Sequence, residues 1–259
     1  MKSDVAPARH DDLNRVSVYQ AEPPRIPGQW LEGFYQSLSI AERSRANRFA
    51  KREDRVNHVI TYGLLRLILS HHCQLHPKEI QIHRSALGKP YVTNKDIHFN
   101  LSHTKGLLVI AIAPYEVGID IEYVDVKFAF QQVVKLVLTK AEQCVLARTP
   151  MDKQQEKFFE YWTAKEAVLK LMGTGFKRDP KTLQIIDGQV YLSDMDTQVR
   201  IVLTPLRLMK RHFTGYVAYR HRESRVPIVY EVIHDLDTPK GARCISGFAT
   251  SLRAEIMSS

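Results

Sequence analysis

The sequence predicts an α+β fold made of two similar α+β halves packed around a cleft. Two capping boxes carry this prediction: Ser39-Ile40-Ala41-Glu42 and Thr139-Lys140-Ala141-Glu142 each place a Ser or Thr three residues before a Glu. Each box follows a leucine, and the shift from position 39 to position 139 is 100 residues. Each leads into a longer amphipathic helix and then into strands. Because ligands often bind between such units, we expect the active site in the cleft.

The first half is predicted to begin with a strand at residues 15–20 and to continue with a helix at residues 54–72. Apolar side chains recur at helical spacing along that helix: Val56, Ile60, Leu64, Leu67 and Ile68. β-branched and apolar runs predict strands at residues 80–82 and 107–113. These elements account for one α+β unit, which we place at residues 1–116.

The second half repeats this order. A helix is predicted at residues 156–172, and its apolar positions are Phe158, Phe159, Trp162, Val168, Leu169 and Leu171. A strand at residues 183–185 reads Leu-Gln-Ile, similar to Ile-Gln-Ile at residues 80–82, and a later strand is expected at 216–219. We place this half at residues 117–235. Residues 236–259 lack sustained periodicity, which predicts a loosely ordered tail.

The charge balance predicts an anionic partner. Lys and Arg outnumber Asp and Glu by 37 to 28, which gives a net charge of +9. Nucleic acid, a polyphosphate cofactor and an acidic protein would all suit this charge. No nucleic-acid-binding signature accompanies it, so the expectation is a phosphorylated cofactor or an acidic protein, with no nucleic acid.

Cysteine usage and hydropathy predict a cytoplasmic protein. Cys73, Cys144 and Cys244 are isolated and odd in number, which argues against a disulfide framework and against a zinc site. No apolar run approaches the roughly 20 residues of a membrane span. The first residues lack the apolar core of a signal peptide, so no membrane association is expected.

The run Gly118-Ile119-Asp120-Ile121-Glu122 carries the clearest chemical signal. On a strand, its alternation places both isoleucines on one face and both carboxylates on the other. Two like charges this close favour a bound cation, and paired oxygen ligands suit Mg²⁺. The plain alternative is that Asp120 and Glu122 form the solvent face of an edge strand.

The run from Trp162 to Lys170 reads as a helix that can add to this pair. Glu166 would supply a third carboxylate, and Lys170 follows one turn later on the same face, where it can reach an anionic substrate. The plain alternative is a surface Glu–Lys pair, and Trp162 by itself predicts core packing. Together the two runs indicate a metal-assisted reaction on a phosphorylated substrate.

Four segments in order resemble motifs of the Sfp-type 4′-phosphopantetheinyl transferases. They are Gly88-Lys89-Pro90, Phe99-Asn100-Leu101-Ser102-His103, Gly118-Ile119-Asp120-Ile121-Glu122, and Trp162-Thr163-Ala164-Lys165-Glu166 with Lys170. The resemblance covers roughly residues 38–175. It implies two α+β halves related by a pseudo-twofold axis, with coenzyme A in the cleft. It also implies transfer of phosphopantetheine from coenzyme A to a serine of an apo acyl or peptidyl carrier protein, by a monomer.

The resemblance also implies roles for individual residues. Asp120, Glu122 and Glu166 would hold Mg²⁺ against the coenzyme A pyrophosphate. Glu166 would also take the serine proton, directly or through water, and Lys170 would stabilise charge on the pyrophosphate. Contacts to the coenzyme are implied for four further residues: Lys89, Pro90, Ser102 and His103.

The basic residues that hold the 3′-phosphate in this family match poorly here. Alignment on Phe49 and Asp54 places Glu42 at one such position and Arg45 at the other. Either Arg43 substitutes by a small shift, or the 3′-phosphate is held differently, with His58 as a further neighbour. A family serine after Lys-Glu is replaced by Ala167, which is expected to matter little.

Two other functions remain open at this point. A non-catalytic module of the same fold could hold nucleotides or acidic proteins, although such a copy would be expected to lose one of its carboxylates. A metal-dependent phosphohydrolase would need His and Asp clusters that the sequence lacks.

Overall fold

The fold combines α-helices with β-sheets, as the α+β prediction requires. The structure is a computed structural model, and it describes residues 15–93, 96–192, 201–220 and 226–233. The predicted tail at 236–259 and Cys244 lie outside the described residues. Within the described part of the chain, no helix is both long enough and apolar enough to cross a bilayer.

Six α-helices are present in the part of the chain that the structure describes. They are α1 (Trp30–Ser37), α2 (Ile40–Asn47), α3 (Arg52–Cys73), α4 (Val134–Val137), α5 (Lys140–Arg148) and α6 (Met151–Met172). Both predicted capping boxes form: Ser39 caps α2 and Thr139 caps α5, each with the reciprocal glutamate bond. The long helices α3 and α6 end at left-handed residues, Gln74 and Gly173.

Eleven strands are present in the described residues. They are β1 (Val16–Ala21), β2 (Ile82–Arg84), β3 (Pro90–Val92), β4 (His98–Thr104), β5 (Leu107–Ala113), β6 (Val117–Tyr123), β7 (Leu183–Ile186), β8 (Gln189–Leu192), β9 (Ile201–Pro205), β10 (Phe213–Arg220) and β11 (Ile228–Ile233). One sheet has the order β11-β1-β5-β4, the other has the order β6-β10-β9-β8-β7, and β2 and β3 form a hairpin.

The order of elements repeats along the chain. A strand (β1, β6) is followed by short helices, a capping box, a 22-residue helix (α3, α6), a hairpin and two further strands. The second copy begins at β6, where the predicted second half begins. A twofold relation between the halves stays a prediction.

Four apolar clusters lie among the described residues, and three of them pack against the sheets. Helices α1–α3 cover one face of the first sheet through a core that includes Phe34, Leu64 and Ile110. Helix α6 covers one face of the second sheet. The remaining faces of the two sheets share a third core, which includes Val109 and Ile119. The edge strands β4 and β6 therefore lie against each other at the junction of the sheets.

Three details differ from the sequence predictions. The strand predicted at 80–82 is observed at Ile82–Arg84, because the Ile80 carbonyl accepts a hydrogen bond from buried Arg66 instead of joining a ladder. Helix α6 begins five residues before the predicted start, at Met151. Strand β11, inside the predicted second half, pairs in parallel with β1 of the first sheet.

Candidate active site

Strand β6 presents its two carboxylates as the alternation predicts. Ile119 and Ile121 are buried in the core between the sheets, whereas Asp120 and Glu122 point to the opposite face. That face is covered by α6, so the carboxylates are not the solvent face of a free edge strand.

Helix α6 rests directly on β6 because residue 118 is glycine. A Cβ at Gly118 would lie far inside van der Waals contact of the Ala167 carbonyl oxygen and the Leu171 nitrogen. Since no other residue permits this approach, the glycine sets the separation of strand and helix. It brings Glu166 and Lys170 of α6 to the carboxylates of β6.

Asp120 lies at the centre of the site and is only 4% exposed. Its Oδ1 accepts hydrogen bonds from Ser102 Oγ at 2.8 Å and from Lys170 Nζ at 2.7 Å. Its Oδ2 is buried and has no hydrogen-bond partner among the described residues. Burial raises the pKa of Asp120, and the Lys170 ammonium partly offsets that rise. An orphaned, buried carboxylate oxygen therefore faces the site.

Glu122 and Glu166 flank Asp120. Glu122 accepts hydrogen bonds from Thr104 and Trp162, and burial followed by the Asp120 charge raises its pKa. The pKa of Glu166 is raised to about 7, mainly by burial and then by the Asp120 and Glu122 charges. The Lys170 charge acts in the opposite direction. These three carboxylates repel one another, and a bound cation would reduce that repulsion.

These oxygen donors fit a divalent cation. Among the described residues no three His, Cys, Asp or Glu side chains are already arranged as a metal centre, and the positive charge beside Asp120 comes from Lys170. The unpartnered Oδ2 of Asp120 and the carboxylates of Glu122 and Glu166 are the hard oxygen ligands that Mg²⁺ takes. The predicted ligands are brought together, and their metal remains a prediction.

Strand β4 connects this carboxylate cluster to a neighbouring cleft. Ser102 points to Asp120, and the next residue, His103, lines a cleft of ≈ 530 Å³. This Arg45 cleft is also lined by Arg45, Phe49, His58, Tyr62 and Lys105. The His103 ring is solvent-accessible, yet partial desolvation and the nearby Lys170 charge lower its pKa. One strand thus spans both parts of the candidate site.

The structure distinguishes the four positions considered for a 3′-phosphate contact. Glu42 is committed to the capping box and to an ion pair with Arg66 at 2.8 Å. Arg43 is not among the residues lining the Arg45 cleft, and its guanidinium carbon lies 6.0 Å from the Tyr35 ring centroid. Arg45 and His58 both line the cleft, so they are the residues placed to meet an anion there.

Lys89 and Pro90 occupy a different place from the Arg45 cleft. Lys89 Nζ donates to the Val117 carbonyl at 3.2 Å and to the Leu171 carbonyl at 2.8 Å, and burial lowers its pKa. It therefore joins the β2–β3 hairpin to the start of β6 and the end of α6. Both residues line a separate cavity of ≈ 480 Å³. Their contact with a coenzyme stays a prediction.

Two features near the site, Arg84 and the hydrogen bond from Trp162, were not predicted from the sequence. Arg84 donates to the Tyr62 hydroxyl at 2.9 Å, and its charge acts on His58 inside the cleft. Its position next to Gly88-Lys89-Pro90 was the only signal available. Trp162 packs on Phe158, as expected of a core residue, and also donates to Glu122.

Comparison with known proteins identifies the family. A family profile described as "4′-phosphopantetheinyl transferase, N-terminal" matches residues 26–115, and one described as "4′-phosphopantetheinyl transferase superfamily" matches residues 116–216. Together these profiles cover most of the chain. The chain belongs to the 4′-phosphopantetheinyl transferase superfamily. The family suggested by the four motifs is therefore confirmed.

Individual relatives of this superfamily agree. The chain is 32% identical over 157 residues to the 4′-phosphopantetheinyl transferase HetI of a Nostoc species, covering 59% of this chain and 66% of HetI. It is 28% identical over 170 residues to the transferase Sfp of Bacillus subtilis, covering 64% of this chain and 75% of Sfp. The match thus spans just under two thirds of HetI.

A solved structure gives a more limited match. It is a holo-(acyl-carrier-protein) synthase from Bacillus anthracis in complex with CoA, at 20% identity and a TM-score of 0.35. It covers 41% of this chain and 95% of that chain. The family assignment depends on the two profiles and on the sequence relatives.

Proposed function

We propose that this protein transfers the 4′-phosphopantetheine arm of coenzyme A to a serine of an apo acyl or peptidyl carrier protein. Adenosine 3′,5′-bisphosphate is the second product. The observation that carries the proposal is Asp120, whose buried Oδ2 lacks a partner while Glu122, Glu166, Lys170 and Ser102 surround it. This cluster lies in a chain whose two family profiles describe the same activity.

The Arg45 cleft would hold the nucleotide end of coenzyme A. Arg45 and Lys105 supply positive charge, and the Phe49 and Tyr62 rings flank His58 at 5.4 and 4.5 Å. The Lys170 charge acts on His103 in the cleft, and Lys170 also binds Asp120, so a ligand bound in the cleft would extend toward Lys170 and Asp120. The pyrophosphate would therefore lie beside Lys170, whose ammonium is placed to neutralise its charge.

Asp120, Glu122 and Glu166 would hold Mg²⁺. When bound, the ion supplies charge neutralisation at the pyrophosphate oxygens. The Ser102 hydroxyl and the Lys170 ammonium fix the Asp120 carboxylate in place. Trp162 and Thr104 do the same for Glu122.

The transfer itself forms one P–O bond and breaks another. The carrier serine hydroxyl attacks the β-phosphorus, the bond to the bridging pyrophosphate oxygen breaks, and adenosine 3′,5′-bisphosphate leaves with that oxygen. Glu166, whose carboxylate lies within electrostatic reach of Asp120, accepts the serine proton. Lys170 stabilises the negative charge that develops on the leaving group.

The carrier protein would be recognised partly through charge. The net charge of +9 favours encounter with an acidic carrier surface. Because one chain supplies both the Arg45 cleft and the carboxylate cluster, a monomer is sufficient for the reaction.

Release of adenosine 3′,5′-bisphosphate tests the proposal. We expect release only when coenzyme A, Mg²⁺ and an apo carrier protein are all present, and we expect EDTA to stop it. Asp120→Ala should abolish release while the folded variant still binds adenosine 3′,5′-bisphosphate, because the Arg45 cleft is untouched. A folded wild-type protein that binds coenzyme A but releases nothing with acyl, peptidyl and aryl carriers would instead indicate a binding module.

A further inference from the structure

The two longest helices each bury one cation at an equivalent position. Helices α3 and α6 both have 22 residues, and Arg66 and Lys165 are each the fifteenth residue of their helix. Arg66 is 2% exposed and Lys165 is 1% exposed. Charged side chains are almost never buried to this degree without a specific partner.

The partner in each half is the capping-box glutamate. Arg66 Nε lies 2.8 Å from Glu42 Oε2, and Lys165 Nζ lies 2.8 Å from Glu142 Oε2. The same glutamate oxygens accept the backbone N–H of the capping residue, Ser39 in one half and Thr139 in the other. We call Glu42–Arg66 the first buried pair and Glu142–Lys165 the second buried pair.

Each cation also binds two carbonyls of the segment that follows its helix. Arg66 Nη1 donates to Pro77 and Ile80, at 2.8 and 2.9 Å. Lys165 Nζ donates to Pro180 and Leu183, at 3.0 and 2.6 Å. Each buried pair therefore joins three segments: a capped short helix, a long helix and the approach to a hairpin.

The first buried pair borders the Arg45 cleft. Arg45 lies on α2 about one turn after Glu42, and the Glu42 carbonyl oxygen lies 3.3 Å from His58 Nε2. Because Arg45 and His58 both line the cleft, a shift of α2 against α3 would separate them.

The second buried pair borders the carboxylate cluster. Lys165 directly precedes Glu166 on α6, and Lys170 follows on the same helix. Glu142 also accepts the Ile185 backbone N–H at 2.8 Å, which ties α6 through Lys165 to β7. A shift of α6 would move Glu166 and Lys170 together relative to Asp120.

We propose that the two buried pairs are positioning devices with separate duties: the first sets the Arg45 cleft, and the second sets Glu166 and Lys170 against Asp120. Buried ion pairs often add little to stability compared with apolar residues, which makes a positional duty the better account of both. The proposal rests on the proposed function, because it assigns the cleft to the nucleotide and the carboxylates to the metal.

Matched charge-neutralising variants test this division. Glu42→Gln is expected to weaken coenzyme A binding, measured by calorimetry without metal, by about tenfold, and to leave Mn²⁺ affinity near the wild-type value. Glu142→Gln is expected to weaken Mn²⁺ binding, measured with adenosine 3′,5′-bisphosphate bound, by about tenfold, and to lower kcat. Its metal-free coenzyme A affinity should stay near the wild-type value.

The conservative exchanges Arg66→Lys and Lys165→Arg keep a cation in each pair, so they provide folded variants if a Gln variant does not fold. Arg66→Lys is expected to change only the coenzyme A affinity, and Lys165→Arg only the Mn²⁺ affinity. If variants of both pairs lose both affinities in proportion to their loss of thermal stability, the separate duties are wrong. The binding measurements decide this even if the wild type transfers nothing, in which case the proposed function alone fails.

Discussion

At the residue scale, the site depends on two positions of β6 that lie two residues apart. Gly118 has no side chain, so the backbone of α6 can approach, and Asp120 carries the carboxylate that this approach buries. The absence of a Cβ thus determines which groups of α6 reach the carboxylate.

Gly118→Ala should push α6 away from β6. We expect a loss of about 1–3 kcal/mol in the free energy of unfolding, measured in urea, and a larger proportional loss of transfer rate. Gly28→Ala is the matched control, since a Cβ there meets nothing within 4 Å. Equal behaviour of the two variants would contradict the close approach.

His58 should make coenzyme A binding depend on pH. Burial is the main cause that lowers its pKa, and the Arg45 and Arg84 charges add to it, against the Glu42 carbonyl and carboxylate. The ring is therefore neutral at pH 7 in the free protein. A bound phosphate favours the protonated ring, so affinity should rise as pH falls from about 7.5 to 6.

To test this, the coenzyme A affinities of His58→Gln and His83→Gln are measured by calorimetry over that pH range. His83 stacks on Tyr91 in the β2–β3 hairpin and does not line the Arg45 cleft, so its variant should keep the wild-type slope. His58→Gln should show a smaller slope, caused by protonation of the ligand and of His103, which also lines the cleft. An unchanged slope in His58→Gln would exclude this role.

At the scale of elements, the β4–β6 junction determines where Asp120 lies. Asn100 Oδ1 accepts the Ile119 backbone N–H at 2.9 Å, and Ser102 binds Asp120 two residues along β4. The Asn100 side chain of β4 thus accepts the hydrogen bond that a neighbouring strand would otherwise accept from the β6 backbone.

Asn100→Ala should leave a buried N–H of β6 without an acceptor. We expect it to cost about 1–3 kcal/mol in the free energy of unfolding, measured by urea denaturation. Asn47→Ala, which removes an exposed hydrogen bond to Tyr35, should cost much less. If both cost the same small amount, Asn100 does not support the junction.

Local signals in the sequence predicted most elements of this fold. The capping boxes fixed the starts of α2 and α5, and alternation identified β6, because both depend on neighbouring residues. The partnership of β1 with β11 was not predictable, since parallel pairing joins residues far apart in sequence and leaves no local pattern. The role of Arg84 and the buried partners of Arg66 and Lys165 were not predicted either, because these contacts also join residues far apart in sequence.

The motifs predicted the carboxylate cluster better than the nucleotide end. Asp120, Glu122, Glu166 and Lys170 lie on two regular elements whose faces follow from spacing. The Arg45 cleft instead depends on how α2, α3 and β4 pack together, which single residues do not reveal.

At the scale of the whole molecule, the positive charge should affect association more than chemistry. Raising the ionic strength from about 0.02 to 0.2 M shortens the Debye length and should lower kcat/KM for an acidic apo carrier severalfold. The kcat at saturating carrier should change little. Steady-state kinetics at both salt concentrations check this, and a salt-independent kcat/KM would contradict electrostatic steering.

The most direct test of the whole account is the intact mass of an apo acyl carrier protein after incubation with this protein, coenzyme A and Mg²⁺. We expect a gain of one phosphopantetheine group per carrier, and no gain with Asp120→Ala or with EDTA. An unchanged carrier mass with folded wild-type protein that binds coenzyme A, on acyl, peptidyl and aryl carriers alike, would contradict it.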